Sequence, residues 1–259
     1  MIELSENLFD ECVMPEKHFE ILKELAMNEN WNYIKDESKF KNPILRNYLI
    51  FTYKRLVELQ KLNPNKTYFF ISNEYLSFNT GLQTNNYEEI YMLLGKNQLE
   101  NKKNWYSIGF FKESDNEFLS KCKLSERAQF INSTDELILD SKLKIITNLD
   151  HILNEKENLE RIPKDIRNTP YLINILNGAI DISLKRLRAN YKFAVPHYYN
   201  NKIQLLLPIF LKNESKQPDV VLVLEKKNDC YRGSTCLTLD MAYNNARLIA
   251  KPETDWIAR

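Results

Sequence analysis

Between Phe193 and Leu237 four strand-forming runs alternate with short polar turns, and nothing else in the chain constrains its fold as tightly. Phe193–Tyr199 and Ile203–Leu211 are separated by Asn200-Asn201, residues that tolerate left-handed backbone. Val220–Leu224 and Tyr231–Leu237 are joined through Lys227-Asn228-Asp229. Runs linked this closely pair antiparallel, because a parallel connection needs a crossover of a dozen or more residues. The spacing therefore predicts two successive hairpins.

The same texture occurs earlier. Tyr68–Ile71, Tyr75–Leu82, Ile90–Leu94 and Trp105–Phe111 are aromatic and β-branched runs divided by polar turns, the pattern of an antiparallel meander. A short strand is expected at Leu143–Ile146, then a helix from Thr147 or Asn148 that stops before Pro163. Towards the N-terminus, residues 15–30 read as a helix with Phe19, Leu22 and Ala26 at helical spacing. A second helix opens with Asn42 as cap and Pro43 in its first turn, and buries Leu45, Leu49, Leu56 and Leu59. Thr169-Pro170 starts a helix to about Tyr191, with Leu172, Leu176, Ile180, Leu184 and Leu187 inward. Asp240 is expected to cap a last helix through about Ala250. The fold class is α+β: antiparallel sheets built from meander and hairpins, packed with helices. Residues 1–66 are read as a helical N-terminal cap of the same unit, and 67–259 as its α+β core.

A chain of 259 residues is long enough to bury a substantial core. Its first twenty residues carry Glu3, Glu6, Asp10 and Glu11 and no apolar stretch, which argues against a secretory signal. The apolar run Leu205–Leu211 contains Pro208 and is far short of the ~20 residues needed to span a bilayer. Cys12, Cys122, Cys230 and Cys236 are too sparse for a disulfide framework. These features point to a cytoplasmic protein with no membrane partner.

Charge is uneven along the chain. Residues 1–160 hold 20 basic and 26 acidic side chains, whereas 161–251 hold 15 basic and 7 acidic. Such a split points to a polyanionic or phosphate-bearing partner of the C-terminal half. Asn174, Asn177, Asp181, Lys185, Arg188 and Lys192 form one stripe along the 169–191 helix. Tyr191, Tyr198, Tyr199, Tyr231 and Tyr243 are interleaved with the cations, as in surfaces that bind phosphates and stack on bases. A solvated helix face and packed tyrosines account for the same pattern without a ligand.

The recognisable catalytic signatures are missing. There is no P-loop, no dinucleotide-binding glycine motif, no H-E-x-x-H, no G-x-S-x-G and no K-x-D-G. His18, His151 and His197 are followed by Phe, Ile and Tyr, so no paired H-x-S/T motif exists. Three histidines and scattered cysteines do not make a structural zinc site. Asp135, Glu136 and Asp140 are read as a solvated face that binds Mg²⁺ only if folding adds partners. No cofactor and no metal are expected.

Phe78-Asn79-Thr80-Gly81-Leu82, with Asn86-Tyr87 and Ile90-Tyr91, resembles the first signature of an uncharacterised bacterial domain family. Ala194-Val195-Pro196, Tyr198-Tyr199, Gln204–Pro208 and the segment from Tyr231 to Ile249, which includes TCLTLDMAYNNARLI, resemble the second. The resemblance runs from the second N-terminal helix to Trp256 and carries a domain-of-unknown-function label. Some members of that family are joined to cold-shock or other RNA-binding modules, which implies RNA metabolism; it implies no catalytic residue.

Within the second signature Asp240, Asn244 and Arg247 share one helix face, where Arg247 can grip a phosphate and Asn244 a base or ribose edge. Arg232-Gly233-Ser234-Thr235 is a candidate anion site. The alternative makes Asp240 and Arg247 a structural pair. Asn79-Thr80-Gly81 marks either a strand bulge or a close approach to a ligand. The leading expectation is an RNA- or nucleotide-binding domain, acting in RNA processing or anti-phage conflict. Lys185, Arg188, Arg232 and Arg247 would hold phosphates; Tyr198, Tyr199 or Tyr243 would stack; Asn79, Thr80 and Asn244 would complete the site. The alternatives are a metal-independent phosphodiesterase or nuclease using His197 or Asp240, and a protein-interaction scaffold.

Overall fold

The computed structural model describes residues 4–99, 103–140, 142–212 and 217–258, so Glu3 and the outermost ends of the two expected segments lie outside it. The chain is a mixed α+β structure that divides into two compact units. The first comprises residues up to Tyr33 and Glu37–Gln129; the second comprises Ile34–Asp36 and everything from Phe130 onward. Among the described residues each unit has one five-stranded, mostly antiparallel sheet.

In the first unit α1 (Leu8–Glu11), β1 (Cys12–Val13), α2 (Lys17–Leu25) and α3 (Pro43–Leu62) precede β2 (Phe69–Ile71), β3 (Tyr75–Gln83), β4 (Glu89–Lys96) and β5 (Trp105–Lys112), with α4 (Asn116–Lys121) after them. Strands β2 to β5 form the expected meander, and β1 adds to β5 in parallel, giving the order β1-β5-β4-β3-β2. Only two residues of β1 pair with β5, at Cys12–Trp105 and Val13–Tyr106, too short a run for any periodicity to announce. The helix read at 15–30 is shorter, because the chain leaves the α region at Ala26. Pro43 starts α3 as expected, but Asn42 does not cap it with its side chain. Asn42 is left-handed (φ 49°) and its Nδ2 donates to Glu20 Oε1 at 2.9 Å instead. Leu45, Leu49, Leu56 and Leu59 are buried, and Tyr53 meets Phe69 and Phe78 edge-on at 5.6 and 5.3 Å.

The second unit contains β6 (Lys144–Thr147), α5 (Leu149–Asn154), α6 (Lys156–Arg161), α7 (Lys164–Arg167), α8 (Leu172–Ala189), β7 (Val195–Tyr199), β8 (Lys202–Ile209), β9 (Val220–Lys226), β10 (Cys230–Leu237) and α9 (Leu239–Ala246). Both hairpins form as expected. Asn200 and Asn201 adopt φ of 47° and 62°, the two left-handed positions of a turn whose twist matches the flanking strands. The sheet order is β6-β10-β9-β8-β7, with β6 parallel to β10. Pro208 is tolerated inside β8 because β7 reaches only as far as Leu206, and its carbonyl accepts from Ser183 Oγ at 2.7 Å.

Helix α8 lays Leu176, Ala179, Ile180 and Leu187 on Leu205, Leu207, Ile209, Leu222 and Leu224. It begins at Leu172 rather than Thr169, whose hydroxyl donates back to the Ile166 carbonyl at 2.9 Å. The single helix expected before Pro163 is two, broken at Glu155, with Asn148 capping the first by accepting from His151 N–H. Asn158 and Arg161 then bond the backbone of Cys236, fastening α6 to β10.

Candidate functional site

Side chains alternate across a strand, so directly opposed residues share a face. In the second sheet Leu205, Leu207, Leu222, Leu224 and Tyr231 face α8. The opposite face carries Val195, His197 and Tyr199 of β7, Leu206 of β8, Val221 and Val223 of β9 and Arg232 of β10, and α9 packs over part of it.

Below α9 this face is open and polar. Tyr199 sits opposite Lys202, and the pairing of Leu205 with Leu224 sets Gln204 beside Glu225. Glu225 in turn opposes Arg232, which opposes Ile146. Tyr199 is 51% exposed, and Arg232 is exposed and makes no ion pair among the described residues. Lys227 and Lys202 both reach Glu225, at 2.7 and 3.2 Å. Hydrogen bonding to Lys227, helped by Lys202, holds the Glu225 carboxyl below its usual range. The patch thus presents Lys202, Lys227 and Arg232 around one carboxylate, with an aromatic ring at its margin.

His197 lies on the same face one row in, opposite Gln204, but is 1% exposed. Burial lowers its pKa to about 4, with Gln204 a weaker opposing influence, so the imidazole is neutral at pH 7. Among the described residues neither ring nitrogen has a hydrogen bond of good geometry, and the same holds for the buried Oδ1 of Asn244. A histidine so enclosed is not placed to exchange protons with a ligand on the open patch.

Asp240 has a structural task. Thr238, not Asp240, caps α9 by accepting from Met241 N–H at 3.2 Å. The Asp240 carboxylate, 1% exposed, instead accepts backbone N–H bonds from Ile34, Lys35 and Asp36 at 2.9, 2.7 and 2.8 Å. Thr238 Oγ donates to the Asp36 carboxylate at 2.8 Å and completes the clamp.

The residues expected to share one site divide three ways. Tyr199, Arg232, Tyr243, Asn244 and Arg247 belong to the α9 side of the second sheet, with Tyr243 fully buried and Arg247 half-buried. Lys185 and Arg188 are exposed on the outer surface of α8, across the sheet, where Lys185 pairs with Asp181 at 2.6 Å. Tyr198 also faces away from Arg232, packed edge-on against Phe130 at 5.0 Å. Asn79 and Thr80 belong to the first unit and are buried in a strand irregularity. Asn79 Oδ1 accepts from Gly81 N–H at 2.8 Å, its Nδ2 donates to Glu89, and Thr80 Oγ donates to the Ile90 carbonyl. Of the two readings of that motif, these bonds describe the bulge.

Folding also redistributes charge. The acidic stretch 130–160 joins the basic C-terminal region, so the second unit holds 20 basic and 17 acidic side chains. The cationic character is local, at the patch, rather than spread over the unit. Sequence reasoning missed Lys202, Lys227 and Glu225; a two-residue turn at Asn200-Asn201 fixes Tyr199 opposite Lys202 and was the signal available. Asp135, Glu136 and Asp140 do not converge, and no cluster of three metal-ligating side chains occurs among the described residues. No helix among them is long and apolar enough to cross a membrane.

A family model described as a domain of unknown function (DUF3825) matches residues 22–256, and the chain belongs to that family. No curated protein and no solved structure matches the chain.

Proposed function

We propose that this DUF3825 chain binds RNA or a phosphate-bearing nucleotide on the open part of the α9-side face of its second sheet. The observation that supports the reading most directly is an exposed Arg232, without an ion pair among the described residues, on the same face as the exposed Tyr199 ring, with Lys202 at the start of β8 and Lys227 at the β9–β10 turn. β7 and β10 lie three strand spacings apart, roughly 14 Å, so the cations and the ring span an extended ligand rather than a point. Phosphates would meet Arg232 bidentately and Lys202 as a point charge, while a base stacks on Tyr199. The setting we propose is RNA processing or conflict with phage in a bacterial cytoplasm, which rests on the resemblance to proteins joined to cold-shock modules.

Single-stranded RNA binding, followed by fluorescence anisotropy, tests this. With two or three phosphate contacts, affinity falls roughly seven- to twentyfold between 50 and 200 mM salt. Arg232→Ala lowers affinity at every sequence and flattens the salt slope by about 0.7, while Tyr199→Ala weakens binding and leaves the slope unchanged. Binding indifferent to salt and to Arg232→Ala refutes the reading.

A further inference from the structure

On the opposite, α8-side face of the same sheet, a cavity of about 390 Å³ opens at the hairpin end. It has the size of a small-molecule site. Its floor is Leu205 and Leu224, one wall is Phe130, and Glu136 borders it from the loop that follows Phe130. Phe130 is buried and meets Tyr198 edge-on at 5.0 Å. Lys226 and Lys227 stand at the mouth.

Among the described residues two polar groups here find no protein partner. Glu136 Oε2 is buried with no hydrogen-bond partner, an arrangement that costs free energy until a donor reaches it. Lys226 is exposed and makes no ion pair, whereas its neighbour Lys227 is engaged by Glu225. An acceptor at one end, apolar surfaces between and a free cation at the mouth describe a flat ring with N–H donors on its far edge and an anionic group on its near side. Among the common bases, guanine offers two parallel N–H donors, from N1 and N2, matched to the fork of a carboxylate.

We infer that this cavity is a guanine nucleotide site, with the base between Phe130 and the Leu205–Leu224 floor, its donor edge on Glu136 and its phosphate on Lys226. Its lining shares Lys202, Gln204, Glu225 and Lys227 with the patch proposed above but includes neither Arg232 nor Tyr199, so substitutions at those two residues separate the sites.

Calorimetric titration of the full chain with GMP, AMP, guanosine and a guanosine-terminated RNA tetramer tests the inference. GMP binds at least about tenfold tighter than AMP, since a hydrogen-bonded charged group discriminates by that much or more. Glu136→Gln, nearly the same shape, abolishes that preference while AMP binding stays within about twofold. Lys226→Ala weakens GMP and spares guanosine. GMP binding identifies a free nucleotide as occupant; the tetramer binding without GMP identifies an RNA end, and both are guanine recognition. No binding of either, no preference over AMP, or a preference unaltered in Glu136→Gln overturns the assignment. Arg232→Ala leaves the GMP titration unchanged, so a failure here and a failure of the RNA surface are read separately.

Discussion

Replacing Asp240 with alanine withdraws one acceptor from three backbone donors at once. The carboxylate takes the N–H groups of Ile34, Lys35 and Asp36, at 2.7 to 2.9 Å. Hydrogen bonds to a charged group contribute about 1.5–3 kcal/mol each, but this segment lies partly in water, which satisfies some of the orphaned donors. A net loss of about 3–5 kcal/mol follows for Asp240→Ala, enough to lower the melting temperature by roughly 10 °C. Asp240→Asn keeps a single acceptor oxygen. Lys35 and Asp36 share Oδ2 while Ile34 uses Oδ1, so at most two of the three bonds survive and an N–H then faces an N–H. Stability should therefore fall in the order wild type, Asn, Ala, measured by denaturant midpoint. Hydrogen exchange at residues 34–36 supplies the local readout: their protection collapses in the alanine variant before the sheet amides respond. Unchanged exchange at 34–36, or a midpoint for Asp240→Asn equal to that of wild type, would show that the carboxylate does not hold this segment.

Two further outcomes are expected beside those of the binding experiments. His197 has a folded pKa of about 4 against 6.5 when free, so between these values the unfolded chain binds more protons and stability rises with pH. The histidine's contribution is complete above pH 6.5 and is lost as pH falls towards 4, at most about 3 kcal/mol. Denaturation from pH 7 to pH 4 checks it, and His197→Gln should remove that part of the slope. Gly81 has φ +75°, and a Cβ there would come within 2.6 Å of the Tyr48 hydroxyl. Gly81→Ala should cost about 2 kcal/mol, mostly from the left-handed backbone, so adding Tyr48→Phe recovers only a minor part. A neutral Gly81→Ala would show that the bulge relaxes.

The strands, their antiparallel order within each hairpin and the start of the Pro43 helix were legible in the sequence, because each depends on neighbours in the chain. Alternation, the Asn200-Asn201 turn and Pro43 at a first helical position act over a few residues and leave a local signature. The Asn79-Thr80-Gly81 motif was equally visible, yet its bonds to Glu89 and Ile90 emerge only when β3 meets β4. The same limit applied to helix caps. Asn42 stands where a cap should be and Asp240 lies in the first turn of α9, but each makes hydrogen bonds with residues far away in the chain.

Only tertiary structure decided which cations belong together. Lys185, Arg188 and Arg232 look alike on paper, and a sheet separates the first two from the third. Its two faces are set by register over the whole sheet, so residues adjacent in sequence such as Tyr198 and Tyr199 point to opposite sides. The parallel strands β1 and β6 reach their partners across about ninety residues of intervening chain, a distance at which no local pattern carries information. Chain-local chemistry thus determined what each segment becomes, and long-range pairing determined which side chains face one another.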